Sequence, residues 1–245
     1  MTLRVAVIVP WRFKGDVNRH ANLVAVLHHL SQVVPEWEVI ISSDGREGAT
    51  PFNRSAAYNR GIAESGPADA YVFHEADMLI PKAQLTAAMI LALGAPGMVV
   101  PFDTYRYLSS EDTSKVRAGL RPEAFTPQSV MVDGRSNGAC NVVSATAMRA
   151  VGHWDEAFEG WGYDDRAMAT AFHVATGTPT RYVAGPGHHL WHTPGWSLES
   201  RFRGGANIPP HEHAATVANE ARYRLYRKAR TAERIRELTH CTGHV

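Results

Sequence analysis

The sequence predicts an α/β fold with a mainly parallel central sheet flanked by helices, and three observations carry that expectation. "LRVAVIVP", residues 3–10, is a short β-branched apolar run closed by proline, the pattern of a strand buried on both faces. Residues 16–34 repeat Leu23, Leu27, Leu30 and Val34 at spacings of 4, 3 and 4, which puts them on one side of a helix. "WEVIISSDG" then supplies a second strand ending in Asp44 and Gly45. Strand, helix and strand in that order make a right-handed βαβ unit with parallel strands.

The later elements continue the alternation. Residues 53–65, "NRSAAYNRGIAES", read as a helix that packs Ala56, Ala57, Ile62 and Ala63 and stops at "GPAD". "YVFHEADMLIP", residues 71–81, is a third strand with Glu75 and Asp77 at its C-terminal end, the edge outside which open α/β sheets bind ligands. A helix over about residues 82–93 and the strand "GMVVPF" follow. Periodicity fades over 103–137, a stretch too long for a structureless loop in a compact domain, so a flap or short irregular elements are expected there. "GACNVVSATAMRAVG" restores a strand and a short helix, and a Gly-rich turn leads into a helix starting near Asp164. "TRYVAGPGHHLWHTPGW" reads as a last strand followed by a loop, and residues 213–238 as one Arg-rich helix.

Composition narrows the function classes. At 245 residues and 44% hydrophobic, the chain is long enough for one sizeable core. Twenty-five Lys plus Arg against 24 Asp plus Glu give a formal +1, so no global charge favours nucleic acid or an anionic membrane. Cys140 and Cys241 have neither metal nor redox spacing, which argues against a disulfide scaffold and for a reducing compartment. No stretch approaches the roughly 20 apolar residues of a membrane span, and "VAVIVP" is too short for a signal-peptide core. The expectation is a soluble, cytoplasmic protein with no membrane partner. Thirteen histidines, several of them in the C-terminal third, make metal binding worth weighing.

Three motifs carry chemistry. Glu75 and Asp77 share a face if strand geometry persists, and hard cations such as Mg²⁺ and Mn²⁺ take carboxylate oxygens and complete their shell with substrate phosphates. Surface carboxylates after a strand are the bland alternative. In "HHLWH", His189 and His192 stand three residues apart, and imidazole suits Mn²⁺, Zn²⁺ and Fe²⁺; a polar loop stacked on Trp191 and Trp196 is the other reading. In "EGWGYDDRAM", Gly160 and Gly162 permit tight backbone geometry, Trp161 and Tyr163 offer a flat platform for a sugar ring, and Asp164 and Asp165 open a helix. The macrodipole accounts for one of those acids and leaves the other free to act as a general base.

The order "VAVIVPWR", "FNRSAAYNRGI", "YVFHEADMLIP", "GACNVVSATAMRAVGHWDEAFEGWGYDDRAM" and "HHLWH" resembles the beta-1,4-galactosyltransferase family over roughly residues 4–195. It resembles the polypeptide N-acetylgalactosaminyltransferases and chondroitin-polymerase-type enzymes more loosely. The resemblance implies a GT-A, Rossmann-like nucleotide-sugar-binding fold, a UDP-sugar donor and Mn²⁺ or Mg²⁺. It places Pro10, Arg12, Asp44, Phe52, Asn53 and Arg54 at the nucleotide, with Phe52 near uracil and Arg54 near the diphosphate or ribose. Of the acid-x-acid pair it makes Asp77 the direct metal ligand and leaves Glu75 to the donor's ribose or sugar, or to a water-mediated contact. His189 and His192 fall on the family's late metal-ligand positions. Gly138, Trp161, Gly162 and Tyr163 fall at the acceptor, with Asp164 as an acceptor hydrogen-bonding residue and Asp165 as the base. Arg166 departs from the family, which commonly has a third acid there.

Together these readings predict a metal-dependent glycosyltransferase that moves a sugar from a UDP-sugar to a hydroxyl, with inversion. A sugar nucleotidyltransferase and a non-catalytic carbohydrate-binding protein of the same fold are the alternatives. Residues 1–205 form the expected catalytic domain, with the flap at about 103–137, and 206–245 a basic helical extension. That tail carries seven basic residues against three acids in "EARYRLYRKARTAERIREL", suited to a solvated face, a homo-oligomer contact or an anionic acceptor such as DNA. A glycan, a protein, a small molecule and a modified DNA base all stay open as acceptors.

Overall fold

A computed structural model of the chain describes residues 3–48, 50–132, 137–193 and 198–240. β1 (Val5–Pro10) is buried along its whole length and lies parallel to β2 (Glu38–Ser42) on one side and β3 (Ala70–His74) on the other. Between β1 and β2 runs α1 (Val17–Val33), capped by Asp16, whose carboxylate accepts from the Asn18 and Arg19 amides. α2 (Arg54–Ser65) leads into β3 and is capped by Asn53. Its Gly61 is required by close approach, because a Cβ there would stand 2.3 Å from Ile8 Cγ2 of β1.

After β3 come β4 (Met78–Leu79), α3 (Lys82–Gly94), β5 (Val99–Val100), β6 (Thr104–Tyr107), α4 (Ser110–Arg117), a 3₁₀ turn at Pro122–Ala124 and β7 (Ser129–Met131). Then follow β8 (Cys140–Ser144), α5 (Ala145–Val151), α6 (Asp164–Thr176), β9 (Arg181–Tyr182), β10 (Pro186–His189), α7 (Leu198–Arg203), α8 (Pro210–Lys228) and α9 (Ala232–Thr239). The central sheet has the order β2-β1-β3-β8-β5-β9, and β8 alone runs against its neighbours. Alternation along β1 feeds two cores: Val5, Val7 and Val9 join α1, α3 and the second sheet, while Ala6 and Ile8 join α5, α6, α8 and α9.

Three expectations are refined. Over residues 103–132 the elements are short but regular: β6 and β7 build a second sheet of order β4-β10-β6-β7, and strands of three or four residues leave little periodicity to read. "TRYVAGPGHH" holds two strands, β9 in the central sheet and β10 in the second, so His188 and His189 lie on a strand and not in a loop. The Arg-rich tail is two helices, because Ala229 is extended and Thr231 caps α9 by accepting from the Arg234 amide. Tyr226, Ile235 and Leu238 bury one side of that tail in the same core as Phe172 of α6. Several of its basic residues have local partners: Arg222 donates to Asp155 at 2.7 Å, Arg224 to Glu220 at 2.9 Å and Arg234 to Glu237 at 2.5 Å. Among the described residues, no helix is long and apolar enough to cross a membrane. Cys140 is buried with a free thiol, and Cys241 lies outside the described residues.

Candidate active site

A cavity of about 710 Å³ opens at the C-terminal ends of β1 and β3 and reaches the start of α6. Its metal corner is assembled by a strand ladder. Asp77 sits in the turn between β3 and β4, β4 pairs antiparallel with β10 so that Met78 faces His189, and the Leu190 amide donates to the Asp77 carbonyl at 2.8 Å. That ladder brings His189 Nε2 to 3.6 Å and His192 Nε2 to 3.4 Å from Asp77 Oδ2. One ligand atom from each of the three residues lies within 4.8 Å of the others. His188, one residue earlier on the strand, points to the opposite face and is buried.

His192 Nδ1 lies 2.9 Å from the Thr193 carbonyl, which only accepts, so Nδ1 is the donor there and Nε2 is the nitrogen that faces Asp77. Burial disfavours charge on Asp77, but His189, His192 and Arg19 outweigh it and hold the carboxyl below its ordinary value. Burial pushes His189 down, with Asp77 pulling the other way. Asp77 Oδ1 is buried with no hydrogen-bond partner among the described residues. Arg19 Nη1, at 3.8 Å, supplies part of the missing positive charge. A carboxylate, two imidazole nitrogens and an orphaned oxygen fit Mn²⁺, a cation that takes both oxygen and nitrogen ligands.

Arg54, the first residue of α2, organises the acids. It pairs with Glu75 and donates from Nε at 2.8 Å and Nη2 at 2.6 Å to Asp164 Oδ2. Burial works against its charge, yet Asp164 and Asp165 more than compensate and raise its pKa. Asp165 is pushed up, first by burial and then by the Asp164 carboxylate, with Arg54 pulling the other way. Gly138 leaves room beside it, since a Cβ there would stand 3.1 Å from Asp165 Oδ2. Arg54 and Glu75, both expected at the donor, are thus bound to each other in this structure.

At the nucleotide end, Pro10 is buried, and Arg12 pairs with Asp44 at 3.2 Å while its guanidinium carbon lies 5.6 Å from the centre of the Phe52 ring. Asp44 accepts the Asn53 amide at 2.9 Å, and Asn53 Nδ2 donates to the Glu156 carbonyl at 2.7 Å, so both act as supports. At the other end Trp161 is 50% exposed, with Arg201 5.4 Å above its ring. Gly162 and Tyr163 both have positive φ, and Tyr163, at φ 71°, stacks on Tyr223 with ring centres 5.4 Å apart. Trp161 is therefore the open platform, whereas Tyr163 is a packed wall. Trp196 lies outside the described residues.

The sequence reading passed over several lining residues. Tyr105 and Tyr107 flank His189 with ring centres at 5.6 and 5.0 Å, and their i, i+2 spacing in "DTYRYL" was a usable strand signal. Arg19, Arg201 and Glu212 carry no local signal; they arrive from a helix face and from the tail, where Arg201 donates to Glu212 at 2.5 Å.

No family model matches the sequence, and no curated protein matches it. Solved structures do. The catalytic domain of Drosophila beta1,4-galactosyltransferase 7, solved with xylobiose, is 12% identical with a TM-score of 0.50, over 87% of this chain and 79% of that one. Glucosyl-3-phosphoglycerate synthase from Mycobacterium tuberculosis, solved with Mn²⁺, UDP and glucosyl-3-phosphoglycerate, is 14% identical with a TM-score of 0.50, over 90% of this chain and 80% of that one. GalNAc-T7, solved with UDP, GalNAc and Mn²⁺, is 10% identical with a TM-score of 0.55; 92% of this chain spans half of that one. The architecture around the cavity is accordingly the GT-A glycosyltransferase fold.

Proposed function

We propose that the protein is a divalent-metal-dependent glycosyltransferase that moves a sugar from a UDP-sugar to an acceptor hydroxyl with inversion. The observation that carries this reading is the convergence of Asp77 Oδ2 with the Nε2 atoms of His189 and His192, at the edge of a cavity whose far side holds a carboxyl with a raised pKa. Both UDP and Mn²⁺ occur in solved structures of the same fold.

Asp77, His189 and His192 would hold the ion, which when bound supplies positive charge against the departing diphosphate. Phe52 and Arg12 face the base and ribose end of the donor. Trp161 stacks on the acceptor's sugar or other flat surface. Asp165 takes the proton of the attacking hydroxyl, the acceptor oxygen bonds to the sugar C1, and the C1–oxygen bond to diphosphate breaks with its electron pair leaving on UDP. Asp164, clamped by Arg54, orients the acceptor beside it. A glycan, a protein side chain, a small metabolite and a hydroxylated DNA base each present a hydroxyl this arrangement can use.

A panel of UDP-sugars assayed with Mn²⁺ and with EDTA tests the reading. Release of UDP and free or transferred sugar only with metal is expected, and NMR of the product's anomeric proton reports inversion. Absence of both UDP binding and UDP release across the panel would overturn it.

A further inference from the structure

The charges lining the cavity leave a remainder. Arg12 is matched by Asp44, Arg54 by Glu75 and Asp164, Arg201 by Glu212, and Arg19 approaches Asp77. Among the described residues that line the cavity, Lys14 and Arg166 are the cations without a carboxylate at ion-pair distance. Lys14 stands at the nucleotide end, beside Arg12, and donates to the Thr50 carbonyl at 3.0 Å. Arg166 stands at the opposite end, one residue after Asp165, with its guanidinium carbon 5.9 Å from the Tyr163 ring centre.

Arg166 and Met131 also border a second, shallower cavity of about 770 Å³. Its polar walls come from Asn137, His173, Thr180 and Tyr223, and among the described residues no Asp or Glu lines it. Arg166, Thr170 and His173 fall at i, i+4 and i+7 of α6, so a guanidinium and an imidazole project from one helix face. Asn137 Oδ1 is already taken by the Tyr182 hydroxyl at 2.5 Å, which leaves the amide nitrogen of Asn137 as a donor. A groove rich in donors, whose described lining has a guanidinium outside ion-pair distance of any described carboxylate and no carboxylate of its own, is complementary to an anion.

We propose that this groove is an acceptor subsite for an anionic group, a phosphate or a carboxylate, borne beside the hydroxyl that Asp165 deprotonates. The proposal rests on the glycosyltransferase reading of Asp165 and adds a substrate class to it. An acceptor with its hydroxyl at Asp165 and its anion on Arg166 is held at two points, which fixes the attacking oxygen more tightly than stacking on Trp161 alone.

Calorimetry on the whole protein loaded with UDP and Mn²⁺ tests it, with glycerol, glycerate and glycerol 3-phosphate as probes. At least one anionic probe should bind about tenfold more tightly than glycerol at low salt and lose that advantage at high salt. Arg166→Gln should abolish the advantage, and so should Thr170→Glu, which sets a carboxylate on the same helix face. Melting curves verify that both variants fold. Equal binding of the three probes, or an advantage that survives both substitutions, would overturn the subsite while leaving the donor reading intact. Failure of UDP and Mn²⁺ to bind the unaltered protein would instead remove the donor reading, and the subsite with it.

Discussion

The cavity holds two pairs of acids, Glu75 with Asp77 at the end of β3 and Asp164 with Asp165 at the start of α6, and Arg54 takes one member of each. The partners left over end in opposite states. Asp77, facing His189, His192 and Arg19, is held ionised below its ordinary pKa, as a metal ligand requires. Asp165, buried and beside another carboxylate, is pushed upward, as a proton acceptor near neutral pH requires. One side chain can therefore set up two different chemistries, because what decides the outcome is the charge that the remaining carboxylate meets next.

The largest expected effect breaks the ionised side of this contrast. Asp77→Ala should drop transfer below about one thousandth of the parent rate and remove Mn²⁺ binding, followed by electron paramagnetic resonance. Glu75→Gln, at the arginine-bound position, should retain Mn²⁺ binding; equal loss in both variants would erase the distinction between the two acids.

Next comes the side with the raised pKa. Asp165→Asn should cost about 100-fold in turnover with UDP affinity preserved by calorimetry. In the proposed mechanism Asp165 works only when deprotonated, so the rate should rise with pH along a limb above the ordinary carboxylate range, and the Asn variant should lack it. The stability sign is opposite. A carboxyl whose folded pKa is raised contributes stability below its unfolded pKa and loses it as pH rises through the folded value. Asp165→Asn should consequently melt higher than the parent at neutral pH; a lower melting temperature would contradict the burial cause.

Removing the shared arginine tests both sides together. Arg54→Gln leaves Glu75 and Asp164 without their partner in a mostly buried place and should cost about 2 kcal/mol by urea unfolding. The smallest effect lies away from the cavity: Tyr226→Phe deletes the hydroxyl that donates to buried Asp155 at 2.8 Å and should cost about 1 kcal/mol by the same measurement. An Arg54→Gln cost no larger than that of Tyr226→Phe would show that Arg54 is not the common tie.

Much of the scaffold was legible because it is local. The apolar run of β1, the 4-3-4 spacing of α1 and the capping Asn53 before α2 each encode their element within a few residues. Asp77, His189 and His192 were legible as metal-ligand types, and they do meet. The direction of β8 was not, since alternation of side chains is the same in parallel and antiparallel strands. Nor was the capture of Glu75 and Asp164 by Arg54, which joins positions 21 and 110 residues away in sequence. The tail illustrates the same limit. Its arginines stand out in the sequence, whereas Tyr226, Ile235 and Leu238, which tie it to α6, are single apolar residues among charges.

The pairing of β4 with β10 has a consequence for how the protein and its ion depend on each other. Met78 faces His189, and Leu190 donates to Asp77, through main-chain hydrogen bonds that require no metal. The placement of His189 beside Asp77 is a property of strand register, which a slip of one residue would invert. A chelator should then strip the ion and leave amide exchange in β4 and β10 slow, so that apo protein is a ready receptor and not an unfolded precursor. Selectivity among divalent ions would be imposed by the chain: the ion adapts to a gauge that the backbone has already set.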